Sequence, residues 1–195
     1  MCYHTKMTSD AQKVEKRFKA AMAGDMPIST DFNGFAFPET PVLLNRETSV
    51  IQPCSWGLLP GWAKSDFKRA NTLNARIETI AEKPSFRSYV NNRCLVLVDG
   101  FYEWQWLDEN GKDKQKYEIG VGGAPFALAG IWAERNGIVT YSIVTTAANE
   151  LMAEIHNTKK RMPVVLTTDN EQYWLQGGLL QDFFICDAPL HAVAV

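Results

Sequence analysis

The sequence has few cysteines and little excess of charge, and each shortage excludes a class of protein. Its four cysteines, at positions 2, 54, 94 and 186, form no C-x-x-C pair, which argues against a zinc ribbon or a disulfide framework and fits a reducing compartment. Twenty Lys and Arg stand against 22 Asp and Glu, a net charge of −2. A globally basic nucleic-acid binder is therefore excluded, and nucleic acid can be bound only through a local basic surface.

The sequence also lacks a long apolar run. No stretch approaches the roughly 18 apolar residues of a membrane span, and the polar residues from Met1 to Met7 do not resemble a signal peptide. We therefore expect a cytoplasmic protein, associated with the nucleoid when it is bound to DNA.

What is present is the composition of a globular protein. The 195 residues are 46% hydrophobic and 22% charged, enough to bury a full core, and no repeat, low-complexity tract or linker divides them. We predict one domain over residues 1–195.

The local patterns predict mainly strands with a few flanking helices. A capping box at Ser9 and Gln12 predicts a first helix that Gly24 ends, Asn149 caps a second helix that runs toward His156, and a third starts at Thr168 and Glu171 and ends at Gly177. Strands are predicted at Val42 to Leu44, Ser49 to Gln52, Cys94 to Trp104, Lys116 to Gly120, Phe126 to Trp132 and Ile138 to Thr146. Short turns such as Asn136-Gly137 link them, so the predicted fold is α+β, a mainly antiparallel curled sheet or open β-barrel.

Cys2 is the residue with the most distinctive chemistry. Removal of Met1 would leave an α-amine and a thiol on adjacent carbons, and such a 1,2-aminothiol captures aldehydes first as a Schiff base and then as a thiazolidine. The alternative is an incidental thiol on a disordered terminus.

Three further segments carry candidate catalytic groups. Asn74, Arg76 and Glu78 share one face of an extended chain, and Glu103 lies among aromatic residues that should raise its pKa. His156 precedes a basic cluster, a setting that suits acid-base work beside a phosphate. Each has a plainer interpretation: a solvated edge strand, a strand-end carboxylate in solvent, and a surface histidine at a helix C-terminus.

Together these segments resemble one family, the SOS response-associated peptidase (SRAP) family. The resemblance runs from Cys2 to about Leu166. It is carried by Cys2, Trp56-Gly57-Leu58, Pro60 to Ala63, Asn74-Ala75-Arg76, Glu78-Thr79, Pro84-Ser85-Phe86-Arg87, Arg93-Cys94-Leu95, Asp99 to Trp104, Thr145-Thr146, Asn149, Ile155-His156 and Arg161-Met162-Pro163.

The resemblance implies a sensor that crosslinks itself to abasic sites in single-stranded DNA. Cys2 would be the nucleophile, Asn74 would hold it in place, Glu103 would move protons during capture and reversal, and His156 would assist opening of the sugar ring. It also implies that the protein removes Met1 itself. We further expect no cofactor, no metal and a monomer. The residues predicted to bind DNA are Arg76, Trp62, Arg87 and Arg161.

Trp62 could supply a stacking platform for single-stranded DNA, and nearby cations could line an electrostatic groove. Those cations are Lys64, Lys68, Arg69, Arg76 and Arg87.

The sequence departs from the family pattern near both ends of the proposed site. Cys2-Tyr3-His4 stands where Cys-Gly-Arg is usual, and three additional residues separate His156 from Arg161.

Two other functions are compatible with these residues. One is an N-terminal-nucleophile hydrolase in which the Cys2 thiolate attacks an amide, its own amine acts as base and Asn74 lines an oxyanion hole. The other is a binding module without catalysis, which would keep its affinity after Cys2→Ala.

Overall fold

The computed structural model describes all 195 residues, which form fourteen strands, three α-helices and four short 3₁₀ helices. The α-helices are α1 (Ala11–Phe18), α2 (Glu150–Ile155) and α3 (Glu171–Leu175). The 3₁₀ helices are Gly34–Ala36, Arg69–Thr72, Arg87–Tyr89 and Leu180–Phe183. The strands are β1 (His4–Met7), β2 (Ala21–Met22), β3 (Ser29–Asn33), β4 (Glu39–Leu44), β5 (Glu47–Trp56), β6 (Asn74–Arg76), β7 (Arg93–Val98), β8 (Gly100–Trp106), β9 (Lys114–Gly120), β10 (Phe126–Arg135), β11 (Ile138–Ala147), β12 (Arg161–Pro163), β13 (Val165–Leu166) and β14 (His191–Ala194).

The strands form two sheets. The larger has the order β12-β11-β10-β7-β4-β5-β2, with β13 beside β10 and β6 beside β11, and the smaller has the order β14-β9-β8-β1-β3. Only β2 with β5, β6 with β11, and β11 with β5 are parallel pairings. The α+β fold class and its mainly antiparallel, curled sheet are therefore confirmed. The curl brings β11 beside β5, where they pair only at Thr140↔Ser55 and Tyr141↔Trp56, and the sheets do not form a closed barrel.

Both faces of the larger sheet are buried. Alternation along its strands places Leu43 and Leu95 in one apolar cluster and Val42 and Val96 in a second. The second cluster also contains Cys2 and residues of the smaller sheet, so the start of the chain lies where the two sheets pack together.

Three local predictions were wrong in their boundaries. Asp10, not Ser9, caps α1, because the Ser9 hydroxyl instead donates to Asp99 at 2.8 Å. The helix ends at Phe18 rather than Gly24, since Lys19 is left-handed (φ 53°) and the chain then enters β2.

The predicted strand from Cys94 to Trp104 is two strands, β7 and β8, in different sheets. The break falls at Asp99, whose carboxylate also accepts backbone N–H bonds from Thr8 at 2.6 Å and Ser9 at 2.7 Å. Similarly, α3 begins after Asn170, with no capping box at Thr168.

Even α1, with eight residues, falls far short of the apolar helix that a membrane span requires.

Candidate catalytic site at the N-terminus

The N-terminus lies inside the protein beside the two predicted acid-base residues. Antiparallel pairing of β1 with β8, in which His4 lies opposite Tyr102, carries the start of the chain along Glu103. The α-amine of Met1 lies 2.9 Å from His156 Nε2 and 3.4 Å from Glu103 Oε1. His156 reaches this point as the residue that ends α2.

The hydrogen bonds of His156 determine which form of the amine can bind there. Its Nδ1 accepts the backbone N–H of Arg161 at 3.1 Å, so a neutral imidazole carries its hydrogen on Nε2. That hydrogen points at the Met1 nitrogen, which can accept it only as a free amine. Burial lowers the pKa of this amine, against the attraction of Glu103. Burial, followed by the neighbouring amine, lowers the pKa of His156 to about 4. The site therefore favours an amine with a free lone pair, the form that attacks carbonyl groups.

Glu103 is a buried carboxyl with incomplete hydrogen bonding. Only 4% of the residue is exposed, and its Oε1 has no hydrogen-bond partner. Burial raises its pKa to about 7, although the amine opposes this shift. A carboxyl with this pKa can give and take protons near neutral pH.

Cys2 is fully buried, and its peptide group is held by Asn74. Burial raises the pKa of the thiol well above its usual range, and Sγ lies 3.7 Å from the carbonyl oxygen of His4. Asn74 Nδ2 donates to the Cys2 carbonyl at 2.8 Å, while Asn74 Oδ1 is buried without a partner. The terminus is therefore ordered and packed, unlike an incidental thiol on a disordered end.

The four residues predicted to be catalytic thus lie together, but Arg161 has a different environment from the one expected. Its guanidinium binds both carboxylate oxygens of Glu78, at 2.5 and 2.9 Å, and the carbonyl oxygen of Thr145 at 2.8 Å. Only 8% of Arg161 is exposed. In this geometry Arg161 serves the site through its backbone N–H, which orients His156, and its predicted contact with DNA stays a prediction.

The other predicted DNA-binding residues lie on the surface. Arg76 is exposed two residues beyond Asn74 on β6, and Arg87 is exposed in a 3₁₀ helix. Trp62 is 56% exposed and borders a cavity of about 430 Å³. The remaining lining residues are Lys64, Asp66, Phe67, Lys68, Asn71 and Ser85.

Arg69 does not line this groove, because its guanidinium points inward. It donates to the carbonyl oxygens of Gly57 and Trp56, both at 2.9 Å, and lies over the ring of Phe37. Its predicted place in the groove is therefore wrong.

A second cavity, of about 270 Å³, opens directly onto the N-terminus. Its lining residues are Met1, Tyr3, Glu103, Trp104, Trp106, Lys114, His156, Thr158 and Lys159. We call it the N-terminal pocket. Lys159 belongs to the basic cluster predicted after His156, whereas sequence reasoning missed the contribution of Trp106 and Lys114, which follow Glu103 on β8 and β9. No cluster of His, Cys, Asp or Glu side chains in the structure could hold a metal ion.

Comparison with known proteins agrees with the fold. A family model described as "SOS response associated peptidase (SRAP)" matches residues 1–182. The abasic site processing protein YoqW of Bacillus subtilis is 44% identical over 62% of this chain and 54% of its own length. The abasic site processing protein HMCES of Rattus norvegicus is 32% identical over 71% of this chain and 51% of its own. The chain thus spans about half the length of these relatives.

A crystal structure of a protein from Bacteroides thetaiotaomicron has the same fold. It superposes with a TM-score of 0.87 at 32% identity, covering 100% of this chain and 92% of the other. A protein from Bordetella bronchiseptica, 24% identical, shares the fold with a TM-score of 0.81 over 100% of this chain and 99% of its own. With a family match over nearly its whole length, the chain belongs to the SRAP family.

Proposed function

We propose that this protein processes abasic sites by capturing their ring-opened aldehyde with the amine and thiol of Cys2, once Met1 has been removed. The product is a thiazolidine crosslink that shields the lesion. The relatives named as abasic site processing proteins support the substrate class. The observation that carries the proposal is the position of the Met1 α-amine, 2.9 Å from His156 Nε2 and 3.4 Å from Glu103 Oε1, which places both groups at the start of the chain, one residue ahead of the amine that processing would create.

Ring opening of the abasic sugar is the first step, since only the open form is an aldehyde. His156 presents an Nε2 hydrogen to the pocket, and we infer that it donates this hydrogen bond to the sugar ring oxygen. Glu103 as a carboxylate takes the proton of the anomeric hydroxyl and stays protonated for capture, while the ring oxygen takes a proton from solvent as its bond to the anomeric carbon breaks. His156 thus acts at the ring oxygen and Glu103 at the anomeric hydroxyl, the two oxygen atoms on the carbon that becomes the aldehyde.

Capture follows through the amine. The nitrogen attacks the aldehyde carbon to give a carbinolamine, and protonated Glu103 donates to its hydroxyl, which leaves as water. The Cys2 sulfur adds to the resulting iminium carbon, and its thiol proton returns to the Glu103 carboxylate. One aldehyde and one aminothiol thus give one thiazolidine and one water, with Glu103 restored, and a pKa near 7 suits both of its roles.

We also propose that the same site removes Met1. Hydrolysis of the Met1–Cys2 bond consumes one water and releases methionine. Asn74, which donates to the Cys2 carbonyl at 2.8 Å, would hold the peptide in place and later hold the new N-terminus. The buried, unpartnered Oδ1 of Asn74 offers an acceptor for the Cys2 amine that hydrolysis creates.

The DNA is proposed to be single-stranded. Exposed Arg76 and Arg87 supply sites for phosphates, and exposed Trp62 offers a face on which a base can stack. We propose that one protein monomer binds one lesion.

The two alternative functions fit the site less well. An N-terminal-nucleophile hydrolase needs a thiolate, whereas burial raises the pKa of the Cys2 thiol. It also needs a free oxyanion donor, whereas Asn74 Nδ2 is engaged by Cys2 itself. A binding module without catalysis has no use for a buried Glu103 with a raised pKa.

The proposal is tested with abasic single-stranded DNA and three proteins, each checked by intact mass. Protein that begins at Cys2 should form a heat-stable adduct on a denaturing gel. Cys2→Ala, and a version that keeps one residue ahead of Cys2, should form none, because an acylated nitrogen cannot form the iminium. The core variant Cys54→Ala serves as the matched control and should crosslink normally. Equal crosslinking by the extended version would contradict the proposal.

A further inference from the structure

Two lysines line the mouth of the N-terminal pocket, and the proposed mechanism does not use them. Lys114 is the first residue of β9, and Lys159 lies in the turn that follows α2. Both are exposed. The charge of Lys159 reaches the reactive groups, since it contributes to lowering the pKa values of the amine and of His156.

Trp106 contacts Lys114 directly and is hydrogen-bonded to the turn that carries Lys159. It pairs with Lys114 in the register between β8 and β9, and the Lys114 Nζ lies 5.1 Å from the centre of its ring. On the other side, Asn157 donates to the Trp106 carbonyl at 2.8 Å and accepts its N–H at 3.2 Å. The turn that carries Lys159 is thereby tied to the strand that faces Lys114, so the two cations are held at one rim.

The pocket is cationic although the whole chain has a net charge of −2. Its only carboxylate is Glu103, which is partly protonated near neutral pH. The nearby Asp108 and Glu109 line a different cavity, on the far side of Trp106 and Asn157. An anion at the mouth therefore meets two lysines with no opposing carboxylate beside it.

The volume of the N-terminal pocket limits the size of the ligand that can enter it. A volume of about 270 Å³ lies just below the range of pockets that hold drug-sized ligands, roughly 300–1,000 Å³. Met1 lines this pocket and leaves it on processing, which gives more space. A molecule with one carbonyl carbon and one phosphate, a few carbons apart, would match the Cys2 amine that loss of Met1 exposes and the two lysines among the lining residues.

We propose that the processed protein also captures small phosphorylated aldehydes, with Lys114 and Lys159 binding the phosphate. This inference rests on the proposed function, because it uses the same aminothiol. The aldehyde carbon forms bonds to the Cys2 nitrogen and sulfur, its oxygen leaves as water, and the phosphate is unchanged. The adduct therefore has the mass of protein plus aldehyde minus one water.

The test compares glyceraldehyde 3-phosphate with glyceraldehyde, and follows the adduct by intact mass. Each rate is divided by the rate of the same aldehyde with free cysteine, which removes differences in intrinsic reactivity. The phosphorylated aldehyde should react at least about tenfold faster after this correction, as expected for a charge-assisted contact. That advantage should fall to less than about threefold in Lys114→Ala/Lys159→Ala, since two contacts are lost. Lys16→Ala/Lys83→Ala, which removes two exposed lysines outside the pocket, should keep it.

An abasic oligonucleotide in parallel separates this inference from the proposed function. If the oligonucleotide crosslinks but phosphate gives no advantage, or if the advantage survives loss of both pocket lysines, the inference is wrong and the proposed function stands. If neither the oligonucleotide nor either aldehyde reacts, both are wrong.

Discussion

Glu103 and Glu78 are both linked to His156, Glu103 directly at 4.0 Å and Glu78 through Arg161, but they have opposite environments. Glu103 is buried with one oxygen unpartnered, and burial raises its pKa to about 7. Burial would also raise the pKa of Glu78, but hydrogen bonds from Arg161 outweigh it and lower the pKa. Glu78 thus holds Arg161, whose N–H orients His156, while Glu103 faces the amine. The contrast separates a buried carboxyl that is suited to proton transfer from an ion-paired carboxylate that holds a structural arginine.

The largest difference is expected in the rate of capture. Glu103→Gln should slow both crosslinking and its reversal by about 100- to 10,000-fold, because the same proton transfers occur in each direction. Glu78→Gln should change both rates less than about tenfold, because it touches no reacting atom. Single-turnover measurements at saturating abasic DNA give these rates. Equal losses in the two variants would remove the distinction drawn here.

The substitution Glu103→Gln, which should slow crosslinking, should also make the folded protein more stable. A folded-state pKa of about 7, against 4.5 for the ordinary group, means that the folded protein binds the proton more tightly than the unfolded chain. The contribution of Glu103 is therefore fully present below pH 4.5 and is lost as the pH rises through 7. Glu103→Gln should raise the free energy of unfolding at pH 8 by about 3 kcal/mol, at 1.36 kcal/mol per pKa unit.

Urea denaturation at several pH values measures this effect in proteins that retain Met1, as checked by intact mass. The gain should disappear below about pH 4.5. A variant that is less stable than the parent at pH 8 would show that Glu103 is held by bonds absent from the structure.

A smaller change of opposite sign is expected at Glu78. Glu78→Gln should lower the free energy of unfolding at pH 7 by about 1–2 kcal/mol, less than for a fully buried pair, because water reaches its carboxylate. The folded pKa is depressed, so this stability is present above the ordinary pKa and is lost as the pH falls through the folded value. Glu82→Gln, an exposed carboxylate in the same segment, is the control and should change little. An effect no larger than the control would make the pair incidental.

The smallest expected effect lies at the surface. Arg76→Ala should weaken binding of single-stranded DNA and make the slope of log affinity against log salt shallower by about 0.7, the loss of one phosphate contact. Its crosslinking rate at saturating DNA should be unchanged. Lys16→Ala is the charge-matched control.

His156→Ala should give the opposite result. It should lower the crosslinking rate at saturating DNA about ten- to a thousandfold and leave the salt slope unchanged. An exchange of the two phenotypes would exchange the two roles.

Local patterns in the sequence correctly predicted turns and helix caps, because these features depend on residues close together in the chain. Asn136 and Gly137, with φ of 52° and 76°, form the turn between β10 and β11, as expected for a tight hairpin. Asn149 caps the start of α2 by accepting the N–H of Met152, and the helix runs to its C-terminal cap at His156, as predicted. Glu103 and His156 were predicted to be catalytic because their residue types and settings suit proton transfer, and the structure places both beside the N-terminus.

Contacts between distant residues could not be predicted in this way. The apolar pattern runs through Asp99, and only its bonds to Thr8 and Ser9, about 90 positions away, show that the strand breaks there. The bond from Met1 to His156 spans 155 positions. Arg161 was predicted to bind a phosphate because it is an arginine in a basic segment. In the folded protein its guanidinium binds Glu78 instead, a contact that the sequence does not show. Tertiary pairing decided each of these cases.

The central claim is that both nucleophiles of Cys2 end in one ring. The measurement is peptide mapping of the crosslink after the DNA has been digested to the sugar remnant, with amine- and thiol-specific reagents applied to the N-terminal peptide. The account predicts an adduct on Cys2 that blocks both reagents and forms without a reductant. An adduct on Lys114 or Lys159 that survives only after borohydride reduction, with Cys2 still open to both reagents, would contradict it.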